Sequence, residues 1–191
     1  GDPAGVVLDL RNNPGGLLNQ SIVLADAFLD AGEIVSVRSR NKVDHRAFNA
    51  QEGDMADGIP LVVLINGGSA SASEIVASAL KFHGRATVMG SRSFGKGSVQ
   101  TIIPMPEEGA LRLTTALYYG PDGETIQARG ITPEIRIETD SKPVKRRREA
   151  DLPGALPAQN NSDQAKTPVI LNTTCPAIEG GRRLTKDGDT G

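Results

Sequence analysis

An α/β fold with a partly parallel sheet is predicted by three observations. Residues 6–10 (VVLDL), 61–65 (LVVLI) and 86–89 (ATVM) are short apolar runs, which read as buried strands. Between the last two lies a helical stripe of Ile75, Val76, Ala79 and Leu80, so strand, helix and strand alternate as in a parallel sheet. From Ser98 onward the period falls to two, which adds a C-terminal β-hairpin region.

Taken in order, residues 6–10 form the first strand. Arg11-Asn12-Asn13-Pro14-Gly15-Gly16 follows as a turn whose glycine N–H groups can point into a cleft. Residues 17–29 carry Leu18, Ile22, Ala25 and Leu29 at helical spacing, with Gly32 as the stop. Residues 34–37 form a strand, and the polar stretch 38–58 reads as an exposed excursion or hairpin. After strand 61–65, Asn66-Gly67-Gly68 makes a tight turn into the helix, which Gly84 ends. Residues 98–103 and 110–118 alternate as two strands joined by a turn at 104–109. Residues 123–138 hold two short extended pieces.

Two features of residues 61–100 suggest chemistry. Ser69, Ser71 and Ser73 sit where a strand turns into a helix, near unpaired N–H groups and the positive end of a helix dipole. Such N–H groups can stabilise an oxyanion next to a nucleophile. Lys96 lies between Gly95 and Gly97 among apolar strands, where desolvation can make a lysine a general base. A serine with a lysine base is a variant of the serine–histidine arrangement.

Plainer readings stand beside these. Ser71-x-x-Glu74 fits a helix capping box. A lysine between glycines is commonly a solvated loop residue. Gly90-x-x-x-x-Gly95-Lys96 resembles a phosphate-binding loop, but Gly97 and a strand follow where that loop needs Ser or Thr and a helix. A serine–histidine–acid triad would have to use His45, in a charged loop, or His83, at a helix end, and neither lies in a turn motif of its own.

The stretch NGGSASASEIVASAL followed by FGKGSVQT resembles the catalytic core of the C-terminal processing peptidases, or tail-specific proteases. So does the D-L-R-N-N-P-G-G turn, and the resemblance covers residues 5–138. It implies a crotonase-like spiral core with a mixed sheet, Ser71 as nucleophile and Lys96 as base. It further implies that Gln100 orients Lys96 and that Glu74 supports the site. The implied oxyanion hole combines the Ala72 N–H with that of Gly15 or Gly16. Substrates would be proteins with apolar, unstructured C-termini, cut through an acyl-enzyme. The implied setting is extracytoplasmic: periplasmic or membrane-associated in bacteria, or a photosynthetic lumen. Two readings from other classes remain: a catalytically idle core that holds peptides, and an acyl-thioester enzyme on the same spiral.

Composition narrows the partners. A net charge of -2 gives no electrostatic case for nucleic acid or an acidic membrane, and 3% aromatics offers no base-stacking platform. Two histidines and the single Cys175 make neither a zinc cluster nor a disulfide framework, and no cofactor is implied. No apolar run is long enough to cross a membrane, and no signal peptide is present.

The 191 residues suit one domain. The expected division is a catalytic core at 1–139 and a polar tail at 140–191. The core is expected to be N-terminally incomplete, because its first strand starts almost at once and neither a PDZ module nor a helical segment precedes it. In the tail, Lys145-Arg146-Arg147-Arg148 reads as a solvated linker, and 151–168 as disordered from its Pro, Ala, Asn and Gln content. Asn160 and Asn172 match the glycosylation pattern.

Overall fold

The computed structural model describes residues 3–106, 109–138, 147–159 and 169–172. Its elements run β1 (Val6–Asp9), α1 (Leu18–Asp26), β2 (Glu33–Ser39), β3 (Arg46–Asn49), β4 (Leu61–Ile65), α2 (Ala72–Phe82), β5 (Ala86–Gly90), β6 (Ser98–Pro104), β7 (Ala110–Tyr119), β8 (Ile135–Glu138) and β9 (Val169–Asn172). The mixed α/β class is as read from the sequence.

Parallel and antiparallel pairing are segregated into two sheets rather than mixed within one. The first is parallel throughout, in the order β1-β4-β5-β8-β9. The second is antiparallel, in the order β3-β2-β7-β6. The excursion 38–58 is the expected hairpin, with β3 returning along β2. The C-terminal hairpin pairs Ser98 with Leu117 at one end and Pro104 with Ala110 at the other.

The core lies between β4, β5, α2, α1 and β2, built from residues such as Leu29, Ile34, Val63, Ile75, Leu80 and Val88. The stripe expected on α2 understates its burial. Every residue from Ala72 to Leu80 is buried, so the helix is enclosed on all sides. Its small residues, Ala77 and Ala79 at 0% exposure, let the neighbours approach. Gly84 takes the left-handed conformation at φ 63° and ends the helix, as expected. Helix α1 stops at Asp26, three residues early, because Phe28 and Leu29 donate to Ala25 and Asp26, tightening the last turn.

Asp54 ties the excursion to the end of α2. Its carboxylate accepts from Arg85 Nε at 2.7 Å and Nη2 at 3.3 Å, and from the N–H groups of Ala56 and Gly58. The Arg85 guanidinium holds the carboxyl below the usual range, burial opposes it, and the Ala56 and Gly58 N–H groups add to the lowering. A lowered folded pKa gives stability that is present above the ordinary carboxylate value, about 3.9, and is lost as pH falls through the folded value. Asp54→Asn is therefore expected to cost about 1–2 kcal/mol near pH 7, and the gap in Tm from native should narrow as pH falls below the ordinary carboxylate range. Equal Tm values at neutral pH would contradict this role.

Three neighbouring parallel strands set the site. The loops after β1, β4 and β5 all leave from the carboxyl edge of the sheet, where α/β sheets form their crevices. These loops carry Gly15 and Gly16, Ser71, and Lys96 respectively.

Candidate active site

The loops after β1 and β4 are stitched together by polar side chains. Asn12 N–H donates to Asn66 Oδ1 at 2.9 Å, and Asn66 Nδ2 returns a bond to Asn12 Oδ1 at 3.1 Å. Ala70 N–H reaches the Asn13 carbonyl at 3.0 Å. Gly15 closes the joint: at φ 96°, a Cβ there would lie 2.6 Å from Ala70 O and 2.8 Å from Ala72 N. Only glycine lets this turn lie against the start of α2.

These contacts separate the three serines. Ser69 is fully buried, and its hydroxyl donates to the Leu10 carbonyl at 2.7 Å while accepting the Asn66 N–H at 2.9 Å. Ser73 is also buried and donates to the Asn13 carbonyl at 3.1 Å. Both fasten the loops. Ser71 is half-buried and sits at φ 55° and ψ -115°, a conformation non-glycine residues adopt only where the surroundings impose it. A strained serine at a sharp strand-to-helix turn is the geometry of a nucleophile elbow.

Glu74 supplies the imposition. It has 0% exposure and makes a capping box with Ser71, whose N–H reaches Glu74 Oε2 at 2.7 Å. Glu74 N–H in turn reaches the Ser71 carbonyl at 2.9 Å. The capping reading is thus correct but incomplete. The carboxylate also accepts from Gly95 N–H at 2.7 Å, Lys96 N–H at 2.9 Å and the Ser93 hydroxyl at 2.5 Å. Burial pushes the Glu74 carboxyl above the usual carboxylate range, and the Ser93, Ser71, Gly95 and Lys96 donors act against that.

One oxygen, Glu74 Oε2, receives both the Ser71 N–H and the Lys96 N–H. The two residues are 25 positions apart in sequence, yet their backbone nitrogens are bound to a single atom. Lys96 itself is half-buried. Its successor, Gly97, leads directly into β6 rather than into a helix, so the phosphate-loop reading fails on geometry.

Two N–H groups at the same place are unspent. Among the described residues, neither Ala72 N–H nor Gly16 N–H has a hydrogen-bond acceptor, whereas Gly15 N–H donates to Asn13 Oδ1 at 3.0 Å. Of the two glycines left open by the sequence, Gly16 is the one with a free donor. Beside it lies a cavity of about 170 Å³. Leu10, Leu17, Leu24 and Val76 line it, with Gly16 and Ala72 also in its wall.

Gln100 lies in β6, exposed, next to an irregularity in pairing between Val99 and Gln100. Among the described residues its amide bonds to no neighbour, Lys96 included. Both histidines are spent on backbone carbonyls: His45 on Ser39 at 3.0 Å and His83 on Glu33 at 2.8 Å. No cluster of His, Cys, Asp or Glu fit for a metal occurs among the described residues.

Ser93 and Gln127 were missed by the sequence reading. Ser93 Oγ receives the Ile131 N–H at 2.6 Å while donating to Glu74. Gln127, with 0% exposure, takes the Gly97 N–H on Oε1 at 3.0 Å. Their partners lie 19 to 38 residues away, and no local pattern marks them.

The model of Peptidase family S41 matches residues 2–137. A carboxy-terminal-processing protease of Bartonella bacilliformis is 66% identical over 134 residues, covering 70% of this chain and 31% of that protein. A probable CtpA-like serine protease of Staphylococcus aureus is 40% identical over 136 residues, covering 70% of this chain and 27% of that one. The solved photosystem II D1 C-terminal processing protease superposes with a TM-score of 0.65 at 37% identity, over 70% of this chain and 34% of that one. The chain thus spans under a third of the length of these two curated relatives. The match takes in all three site loops together with the elements that place them, and on that ground the chain belongs to peptidase family S41.

Proposed function

We propose that this site is the Ser–Lys dyad of an endopeptidase that cuts proteins near their C-termini through an acyl-enzyme. The observation that carries the reading is the shared anchor: Ser71 and Lys96 hang by their N–H groups from one buried carboxylate oxygen. The unspent Ala72 and Gly16 N–H groups beside them support it.

In this mechanism the neutral Lys96 amine takes the Ser71 hydroxyl proton as Oγ attacks the peptide carbonyl carbon. Ala72 N–H and Gly16 N–H receive the oxyanion, pre-aimed where charge develops. The Lys96 ammonium returns its proton to the leaving amine, the C–N bond breaks, and the substrate's acyl group stays on Ser71. Water, deprotonated by Lys96, then attacks that ester, and Ser71 is released. Glu74 touches no substrate and acts by holding both backbones. Gln100, one strand residue pair beyond the loop, is proposed to orient the Lys96 amine during turnover.

The cavity beside Gly16 and Ala72 is apolar in most of its wall, which suits a small or branched apolar side chain next to the cut bond. That agrees with substrates whose C-termini are apolar and unstructured. We read the two sheets around α2 as a crotonase-like spiral, with the catalytic core at 1–139. An extracytoplasmic setting follows only from the kind of protein the relatives are; among the described residues no helix is long and apolar enough to cross a membrane.

The test is cleavage of an unfolded protein with an apolar C-terminus by the native chain, Ser71→Ala and Lys96→Ala. Cleavage should be lost in both variants, because one removes the attacking hydroxyl and the other the amine that takes its proton. Cleavage that survives in folded Lys96→Ala would contradict Lys96 as the base.

A further inference from the structure

We propose that Gln127 is a positioning residue for Lys96 and that residues 148–159 form a strap that fixes its amide. The proposal rests on the Ser71–Lys96 reading and adds parts that the reading does not contain.

Three consecutive N–H groups, those of Gly95, Lys96 and Gly97, all end on buried side chains from elsewhere. Glu74 takes the first two and Gln127 Oε1 takes the third, at 3.0 Å. The segment around Gln127 follows the loop closely. Ala128, itself at φ 62°, donates its N–H to Gly95 O at 2.8 Å. A Cβ on Gly97 would stand 2.4 Å from Gln127 N, so glycine is required for this approach. Lys96 is thereby held from both sides of its own peptide unit.

A glutamine amide can turn end for end, and only one orientation offers oxygen to Gly97. The other end decides it. Gln127 Nε2 donates to Glu149 Oε1 at 3.2 Å and to the Leu156 carbonyl at 3.3 Å. Both acceptors lie in the strap, beyond the residues 2–137 matched by the family model. The strap is fastened to the same loop and the same sheet. Glu149 N–H reaches Phe94 O at 3.1 Å, and Gln159 Oε1 receives the Tyr119 hydroxyl at 3.0 Å. With two acceptors fixed on one side, the amide oxygen must face Gly97.

The test uses Gln127→Ala, Gln127→Glu, Glu149→Ala and Glu149→Gln in the full chain, with Ser71→Ala as control. Gln127→Ala should lower kcat roughly 10- to 100-fold, the scale of a misplacement of about 1 Å, with KM within about twofold. Gln127→Glu keeps the acceptor but sets a carboxylate against Glu149, and should fall between the two. Glu149→Ala should lower kcat less than Gln127→Ala, and Glu149→Gln, which keeps an acceptor, should restore it. A readout independent of turnover is amide exchange at Gly97, together with the rate of amine labelling at Lys96 relative to Lys81. Both should change in Gln127→Ala and Glu149→Ala. Folded variants with native kcat, native Gly97 exchange and native Lys96 labelling would overturn the proposal. Should the native chain not cut, or Ser71→Ala still cut, the dyad reading fails instead. Exchange and labelling then decide alone whether Gln127 holds the loop. Should Gln127→Ala not fold, the two Glu149 variants decide.

Discussion

Glu74→Ala is expected to cost stability and activity together. Among the described residues the carboxylate is the only acceptor for the N–H groups of Ser71, Gly95 and Lys96, and it also receives the Ser93 hydroxyl. Removing it orphans four donors in the interior, and each such loss costs about 1–3 kcal/mol where water cannot enter. Partial relaxation brings the expected total to about 3–5 kcal/mol. The backbone strain at Ser71 then has no counterweight on that side, and the elbow can relax toward an ordinary helix start. Activity should fall by on the order of 100-fold or more, because Ser71 and Lys96, the proposed nucleophile and base, lose their common anchor. Glu74→Gln keeps the volume and one acceptor oxygen but turns an amide N–H₂ toward other donors. It should lie between native and alanine in both measures. Denaturant midpoints and kcat/KM on the same preparations check this. A folded Glu74→Ala with stability within about 1 kcal/mol of native and unchanged kcat/KM would contradict it.

Ser71→Ala should separate those two effects. Alanine at position 71 keeps the backbone that Glu74 grips, so stability should stay within about 1 kcal/mol of native. Activity should drop by on the order of 10⁴-fold or more, since no other hydroxyl is available. The neighbouring serines are occupied, Ser69 with Leu10 O and Ser73 with Asn13 O. Lys96→Ala should resemble it. The clamp on residue 96 uses the backbone N–H, so the loop stays and only the amine is lost. Loss of cleavage in Lys96→Ala also excludes an acyl-thioester enzyme on this scaffold, which would have no need of that amine.

The strand-and-helix plan was legible because its signals are local. Apolar runs of four or five residues bounded by glycine turns mark β1, β4 and β5, and the period-two stretch marks β6 and β7. The motif around Ser71 and Lys96 is equally local. What connects the motifs is not. The spacing Ser71-x-x-Glu74 foretells a cap, but the reach of that carboxylate to residues 93–96 depends on β4 and β5 lying side by side. The choice of Gly16 over Gly15 depends on one side-chain contact, Asn13 Oδ1 with the Gly15 N–H. Gln100 was placed toward Lys96 by strand alternation, and in the structure it is exposed beside an irregularity in the β6–β7 pairing.

Residues 151–159 fell within a stretch whose composition predicted disorder, and they instead close on the core. Composition misleads here because apolar burial is not what holds them. A 3₁₀ turn at Glu149–Asp151 precedes them, and polar contacts with Gln127 and Tyr119 fasten them. The remainder of that stretch, 160–168, and the basic residues Lys145 and Arg146 lie outside the described residues, as does Asn160 of the first glycosylation match. Asn172, of the second, falls in β9. Helix α2 was underestimated for a related reason. The stripe named only Ile75, Val76, Ala79 and Leu80, but the small size of the serines and alanines between them lets them be buried against close neighbours as well.

The central claim is that Ser71 is the nucleophile of an acyl-enzyme. Its most direct test is the intact mass of the full chain, quenched in acid during turnover of a peptide ester with an apolar acyl side. The account predicts an adduct with the mass of that acyl group, mapped to the peptide containing Ser71. The adduct should be absent in Ser71→Ala. Turnover with no adduct on Ser71, or the same adduct on Ser71→Ala, would contradict it.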